Sequence, residues 1–320
     1  MRMKWMQQPL RALIALLLVT IPGVAAAQEK YPSRPIEFIV PWGPGGGADQ
    51  VARKAGKIME EDLKVSFPVV NVPGATGNTG MAKLLAAQAD GYSISVMTWD
   101  TYALLATTKT RWSMKDIVPV ALMIKQPSSF MSATNGMLKT WADVEREAKV
   151  RPLKVAVTGF GSPDDITVNY FVARGLKLIS VPFANPGERY TAVLGGHADL
   201  LYEQLGDVRS FIDSKQIQPV IIFAAKRFDV FPDVPASKEL GYDITLPQRR
   251  AVIMKAGTDA GKIKVISDAL AKVAASAEYK AYLKEQYATD DSYFAAQDAA
   301  KIMEEDLGQM KRIAAGAAAK

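Results

Sequence analysis

The chain has 320 residues, 49% of them hydrophobic and 22% charged, a globular composition that excludes a disordered or collagen-like protein and is long enough for two domains. Cysteine is absent and histidine occurs once, at His197, which excludes disulfides, thiolate metal centres, iron–sulfur clusters and histidine-rich zinc sites. The net charge is +6, of which Arg2, Lys4 and Arg11 supply three, and the remainder is no nucleic-acid footprint.

Those three basic residues precede an apolar run, Ala12 to Val19, and then Pro22-Gly23-Val24-Ala25-Ala26-Ala27. A basic start, a short apolar stretch and small residues at a cleavage point read as a secretory signal peptide, residues 1–27, cut after Ala27. The alternative is a membrane anchor, but the run is short for a spanning helix and Pro22-Gly23 interrupts it. With no cysteine to carry a lipid, the expectation is a soluble, periplasmic protein.

Strand and helix patterns then alternate, the mark of an α/β architecture. Ile36 to Val40 reads as a buried strand, followed by the turn Pro41 to Gly47 and a helix from near Ala48 with Val51, Ala55, Ile58, Met59 and Leu63 on one face. Pro68 to Asn71 is a second strand, Val72 to Gly80 a glycine-rich turn, and a helix passes through Leu84 and Leu85. Ser93 to Met97 is a third strand. Further strands are read at Leu153 to Val157, Leu178 to Val181, Pro219 to Ala225 and Ala251 to Met254, with helices from Asp164 and across Glu188 to Leu194. The last third reads as helical over 260–275, 277–286 and 293–313, with a frayed tail from Ala314. The heptapeptide Lys57 to Leu63 recurs as Lys301 to Leu307, but the flanks differ, so it marks no repeat architecture.

The two glycine-rich turns each join a strand to a helix. Glycine lets such a turn bend so that backbone N–H groups converge, and the helix that follows adds its unpaired first N–H groups and positive dipole end. Together they make a site for an anion. Neither turn fits a nucleotide fingerprint, since prolines disrupt Gly43 to Ala48 and no Gly-Lys-Ser/Thr occurs, so no cofactor and no metal is expected.

Tyr31-Pro32-Ser33-Arg34-Pro35-Ile36 with Pro41-Trp42-Gly43-Pro44-Gly45-Gly46-Gly47-Ala48-Asp49 resembles the mature start of the Bug-type receptors, the extracytoplasmic solute-binding proteins of tripartite tricarboxylate transporters. Asn71 to Gly80, Ala89-Asp90-Gly91-Tyr92, Gly159-Phe160-Gly161-Ser162, Val181-Pro182-Phe183, Leu194 to Asp199 and Phe231 to Pro235 are similar to later family motifs in order. The resemblance implies a type II periplasmic-binding-protein fold: two α/β domains with a ligand cleft between them. Domain 1 would take 28–129 and 248–320, domain 2 would take 130–247. It implies a monomeric, non-enzymatic receptor that captures a small organic carboxylate, di- or tricarboxylic or aromatic, and delivers it to membrane permease subunits. A ligand-sensing subunit of a signalling system shares the same physics. An enzyme on this fold is the weaker alternative, because no nucleophile elbow is present and His197 reads as a turn or surface residue.

By resemblance, the carboxylate falls on Trp42, Gly45, Gly46 and Gly47 and on Gly74, Ala75, Thr76 and Gly77, with Thr98 and Asp100 beside them. Thr158, Gly161 and Ser162 would close from domain 2. Asp49 either caps the first helix or faces the pocket. The sequence departs from the family after Gly-Ser-Pro, where Asp164-Asp165 replace glycine and histidine, and after Val-Pro-Phe, where Ala184-Asn185-Pro186-Gly187 stand. Arg250, with its neighbour Arg249, either pairs with a second carboxylate or forms an exposed surface pair.

Overall fold

The computed structural model describes residues 30–318, and the signal-peptide reading lies outside them. Apolar runs form strands and amphipathic runs form the helices that cover them. In chain order these are β1 (Glu37–Val40), α1 (Gly47–Leu63), β2 (Val69–Asn71), α2 (Asn78–Ala86), β3 (Ser93–Thr98), α3 (Trp99–Tyr102), α4 (Leu104–Thr107) and β4 (Ile117–Gln126). Next come β5 (Ser128–Ala133), α5 (Trp141–Val150), β6 (Leu153–Val157), α6 (Pro163–Val172), β7 (Leu178–Pro182), α7 (Pro186–Leu194), β8 (Leu200–Gln204), α8 (Arg209–Asp213) and β9 (Ile217–Ile222). The chain closes with β10 (Gln248–Lys255), α9 (Ala260–Ala275), α10 (Ala277–Glu285), β11 (Phe294–Ala295) and α11 (Ala296–Ala318).

Two mixed sheets result, in the orders β11-β4-β10-β3-β1-β2 and β7-β6-β8-β5-β9. In the first, β1 runs parallel to β2 and β3, while β10 returns from the far end of the chain to pair antiparallel with β3 and β4. In the second, β6 is parallel to β7 and β8, and β5 is antiparallel to β8 and β9. Each sheet with its covering helices makes one lobe. The chain passes between lobes over the single residue separating β4 from β5, and again before β10.

The first sheet buries Phe38, Val40, Val96 and Val252 against Ala55 and Met59 of α1 and Leu270 of α9. Its other face joins an apolar cluster that continues into the second lobe, where Met303 and Met310 of α11 share it with Phe171 of α6. Tyr102 donates to the Met303 carbonyl and Trp99 Nε1 to Asp306, so α11 straps both lobes. The expected tail fray is not found; α11 stays helical through Ala318. Its start also differs, because Phe294 and Ala295 first pair with β4. Strands β4, β5 and β8 were not placed by the sequence reading; in β4 and β8 polar residues at the ends of apolar runs blur the period.

The second lobe is centred on Phe130, fully buried, whose ring lies 5.1 Å from Phe223, 5.8 Å from Tyr202 and 5.9 Å from Phe171. Phe130→Ala should therefore destabilise the protein by about 3–5 kcal/mol, read as a lower denaturant midpoint at unchanged m-value; a loss under about 1 kcal/mol would show that the aromatic cluster collapses around the gap.

Candidate functional site

The first glycine turn leads from β1 into α1. Gly46 precedes the helix with φ −80° and ψ 170°, and no side chain caps it. Among the described residues the first-turn N–H groups of Gly47 and Ala48 find no acceptor. Gly45 needs its positive φ of 84° to make the turn, but its N–H donates to Asp49 Oδ2 at 3.0 Å. Asp49 also accepts from Arg53 Nε at 2.9 Å and Asn71 Nδ2 at 3.0 Å. Burial pushes its carboxyl up, and the Arg53, Gly45 and Asn71 hydrogen bonds outweigh this and hold it below the usual range. Asp49 thus braces the base of the turn, and neither it nor Gly45 lines the cavity described below.

The second glycine turn carries four consecutive positive φ angles, at Gly74, Ala75, Thr76 and Gly77. Ala75 and Thr76 hold a conformation that L-residues adopt rarely, strain that surrounding contacts must sustain. The turn reaches across to the second lobe, where a Cβ added to Gly159 would lie 2.2 Å from Thr76 Oγ1. Its residues are not among those that line the cavity described below.

Between the lobes lies a cavity of about 30 Å3, room for about two water molecules. From the first lobe it is lined by Trp42, Gly46 to Ala48, Thr98 and Asp100. Trp42 donates through Nε1 to Thr98 Oγ1 at 2.9 Å, so its ring is fixed as a wall. Thr158, Pro186 and Arg189 face them from the second lobe, with Glu203, Gln204 and Asp207 behind, and Arg250 reaches in from β10. A register shift between Arg250 and Ala251 marks an irregularity in β10, a device that re-aims a side chain.

The charges are arranged in pairs. Arg250 donates to Asp207, to Gln126 and, at 3.1 Å, to Gln204. Although burial lowers the basicity of Arg250, the Asp207 charge overcomes it and keeps the guanidinium protonated. Arg189 donates to Glu203, which also accepts from the Tyr190 hydroxyl at 2.9 Å. Asp100 and Asp164 have no arginine of their own. Asp100 accepts from Gln248 Nε2 at 2.5 Å and Thr158 Oγ1 at 3.2 Å; Asp164 accepts from Thr158 N at 2.8 Å and Thr158 Oγ1 at 2.9 Å. Burial pushes both carboxyls up, Asp164 strongly, with the Asp100 charge adding to it.

Of the residues expected from the sequence, Trp42, Gly46, Gly47, Thr98, Asp100, Thr158 and Arg250 meet at this cavity. Gly161 and Ser162 do not. Ser162 caps α6, accepting from Asp165 N at 3.3 Å, and the Gly161 carbonyl accepts from Thr107 Oγ1 at 2.9 Å, tying the lobes together outside the cavity. The exposed-pair reading of the arginines is overturned: Arg250 is buried, and buried Arg249 pairs with Asp306 of α11 at 3.0 Å. His197 is exposed beyond the end of α7. Arg189, Glu203, Gln204 and Asp207 were missed. A signal existed for the middle two, since a charge and an amide interrupt the apolar run Leu200 to Leu205, and a buried glutamate implies a partner.

Two α/β lobes, crossed twice by the chain and shut on a polar cavity, define a periplasmic-binding-protein fold. Solved structures agree: R. palustris Rpa4515 with adipate (TM-score 0.84, 21% identity, covering 90% of this chain and 98% of that one) and MatC (Rpa3494) from Rhodopseudomonas palustris with bound malate (TM-score 0.82, 21% identity, covering 89% and 100%). Among sequence relatives, protein BugT of Bordetella pertussis is 29% identical over 78% of this chain and 79% of its own. The model of the tripartite tricarboxylate transporter family receptor, TctC, matches residues 51–317, and the chain belongs to that family of Bug-type solute-binding proteins, which are receptors and not enzymes.

A carboxyl whose pKa is raised by folding binds its proton more readily folded than unfolded, so its contribution to stability falls as pH rises above its ordinary value of 3.8. Asp164→Asn should therefore gain stability relative to the parent as pH is raised from about 4 to 7, measured as the difference in melting temperature; a difference independent of pH would mean that Asp164 titrates normally.

Proposed function

We propose that this chain is an exported receptor that captures a small organic carboxylate between its lobes and passes it to the membrane permease subunits of a tripartite tricarboxylate transporter. The observation that carries this is the uncapped amino end of α1, whose free N–H groups at Gly47 and Ala48 face a cleft that also holds Arg189 and Arg250. Helix amino ends and guanidiniums are the standard partners of carboxylates. The malate and adipate of the two solved relatives belong to that ligand class. The first lobe then takes residues 30–126 with 248–318 and the second takes 128–247, so the boundary expected after residue 129 falls at Pro127, because Ser128 and Ser129 already pair in β5. A periplasmic location rests on the signal-peptide pattern; no described helix is long and apolar enough to cross a membrane.

A cavity of about 30 Å3 is too small for any organic acid, so binding proceeds by separation and re-closure of the lobes around the ligand. Trp42, Gly46, Gly47, Thr98, Asp100 and Thr158 would then form its walls. Closure explains why Gly46 is glycine. Its backbone angles suit any residue, but a Cβ there would lie 2.6 Å from the Pro186 ring of the opposite lobe.

Gly46→Val should prop the cleft open and weaken malate or adipate binding at least about tenfold, roughly 1.4 kcal/mol, in titration calorimetry, with thermal unfolding unchanged. His197→Ala should bind as the parent does. Equal affinity of Gly46→Val and parent would remove lobe closure from the binding reaction, and no response to any carboxylate in a thermal-shift screen would remove the carboxylate itself.

A further inference from the structure

Three acids line the cavity, Asp100, Glu203 and Asp207, against two arginines, Arg189 and Arg250. Arg250 is committed to Asp207 and Arg189 to Glu203, which leaves Asp100 at the start of α3 and Asp164 at the start of α6 without a cationic partner, 4% and 1% exposed. Both depend on one threonine. The Thr158 hydroxyl has a single hydrogen, yet it stands 3.2 Å from Asp100 Oδ1 and 2.9 Å from Asp164 Oδ2. Asp164 also receives the Thr158 N–H, so the oxygen left short of a donor is Asp100 Oδ1, on the cavity wall.

An independent observation points to a ligand from the other side. Arg189 is 3% exposed, lines the same cavity, and has no partner for its Nε. Across the cavity, on the first lobe, Gly47 and Ala48 have N–H groups that find no acceptor among the described residues. The cavity therefore offers an acceptor short of donors, at Asp100, and donors short of acceptors, at Arg189, Gly47 and Ala48, and buried polar groups are costly until each is matched. A simple dicarboxylate matches only the donors and adds an acid beside Asp100.

Resting on the receptor reading above, we infer that the ligand of this cleft carries a cationic nitrogen as well as a carboxylate, the nitrogen set against Asp100 and the carboxylate against the amino end of α1 and Arg189. The ligand is an amino-carboxylate rather than a plain dicarboxylate. Its ammonium donates to the under-supplied Asp100 oxygen and neutralises the unpaired acid, which frees the Thr158 hydroxyl for Asp164. Burial raises the proton affinity of both acids, and the Arg189 charge offsets this only in part.

The test is titration calorimetry of the full chain, without its first 27 residues, against matched pairs: succinate and aspartate, adipate and 2-aminoadipate, with 1,4-diaminobutane as a cation lacking a carboxylate. The amino member of at least one pair should bind at least about tenfold more tightly than its parent acid. Asp100→Asn should erase that advantage; should this variant not fold, Asp100→Ser is read the same way. Dicarboxylates that bind as well as their amino analogues would overturn the inference and leave the carboxylate reading standing. Binding of the diamine alone would overturn the carboxylate reading and keep the acid wall as a cation site. No binding in any series would overturn both.

Discussion

Arg250 and Asp207 form an ion pair removed from water, with side-chain exposures of 3% and 2%, and much of the architecture exists to tolerate it. Taking two charges into a low-dielectric interior costs several kcal/mol per ion, and the attraction between them offsets this only where hydrogen bonds satisfy the remaining donors and lone pairs. Here Gln126 meets both partners at once, accepting from Arg250 and donating to Asp207 at 3.1 Å, while Gln204 accepts from the second guanidinium nitrogen, and of the guanidinium nitrogens Arg250 Nε alone is left without an acceptor among the described residues. Arg250 and Gln126 belong to the first sheet, Gln204 and Asp207 to the second lobe. The pair can be satisfied in this way only while the lobes are together. Opening returns both ions to water, which recovers hydration as the contact is lost, so the network defines the closed geometry without having to make it very stable.

That pair also dictates the residue at position 47. A Cβ on Gly47 would fall 2.3 Å from both Arg250 Nη2 and Asp207 Oδ2. Glycine at the first position of α1 lets the ion pair lie directly on the helix end. The neighbouring glycines answer to different demands: Gly45 to a positive φ, Gly46 to the approach of Pro186. A glycine run that reads from sequence as one anion-binding loop is thus divided between a turn, a lobe contact and an ion-pair seat.

This division explains what was legible in the sequence and what was not. Strand-to-helix turns rich in glycine are local signals, and the first of them leads to the cavity through Trp42, Gly46 and Gly47. The second turn has the same local signature but lies against Gly159 outside the cavity lining, a placement that depends on how two distant lobes meet. The remaining half of the cavity is written in residues whose roles are non-local. Arg189 on α7 and Glu203 on β8 become partners only when the second sheet forms, and Asp207 finds Arg250 across 43 positions of chain. Asp164 was noticed as a departure from the family pattern, yet its burial behind Thr158 could not be read from spacing. Ser162 and Gly161 show the converse: a motif match marked them as ligand contacts, whereas local hydrogen bonding uses them as a helix cap and a lobe tie.

Selectivity in such a cleft follows from the imbalance between its walls more than from its shape. The apolar lining amounts to the Trp42 ring, the Ala48 methyl and the Pro186 ring, and apolar surface of that extent distinguishes ligands that differ by a methylene only weakly. A buried polar group left unmatched discriminates far more sharply, because the wrong ligand must bear the whole cost of its desolvation. The acids at 100 and 164 compete for one hydroxyl, and the arginines are held by acids of the protein's own. Any solute that enters is therefore judged against an existing internal network: it binds to the extent that it supplies the donors and acceptors which that network lacks, and closure of the lobes is the step at which the comparison is made.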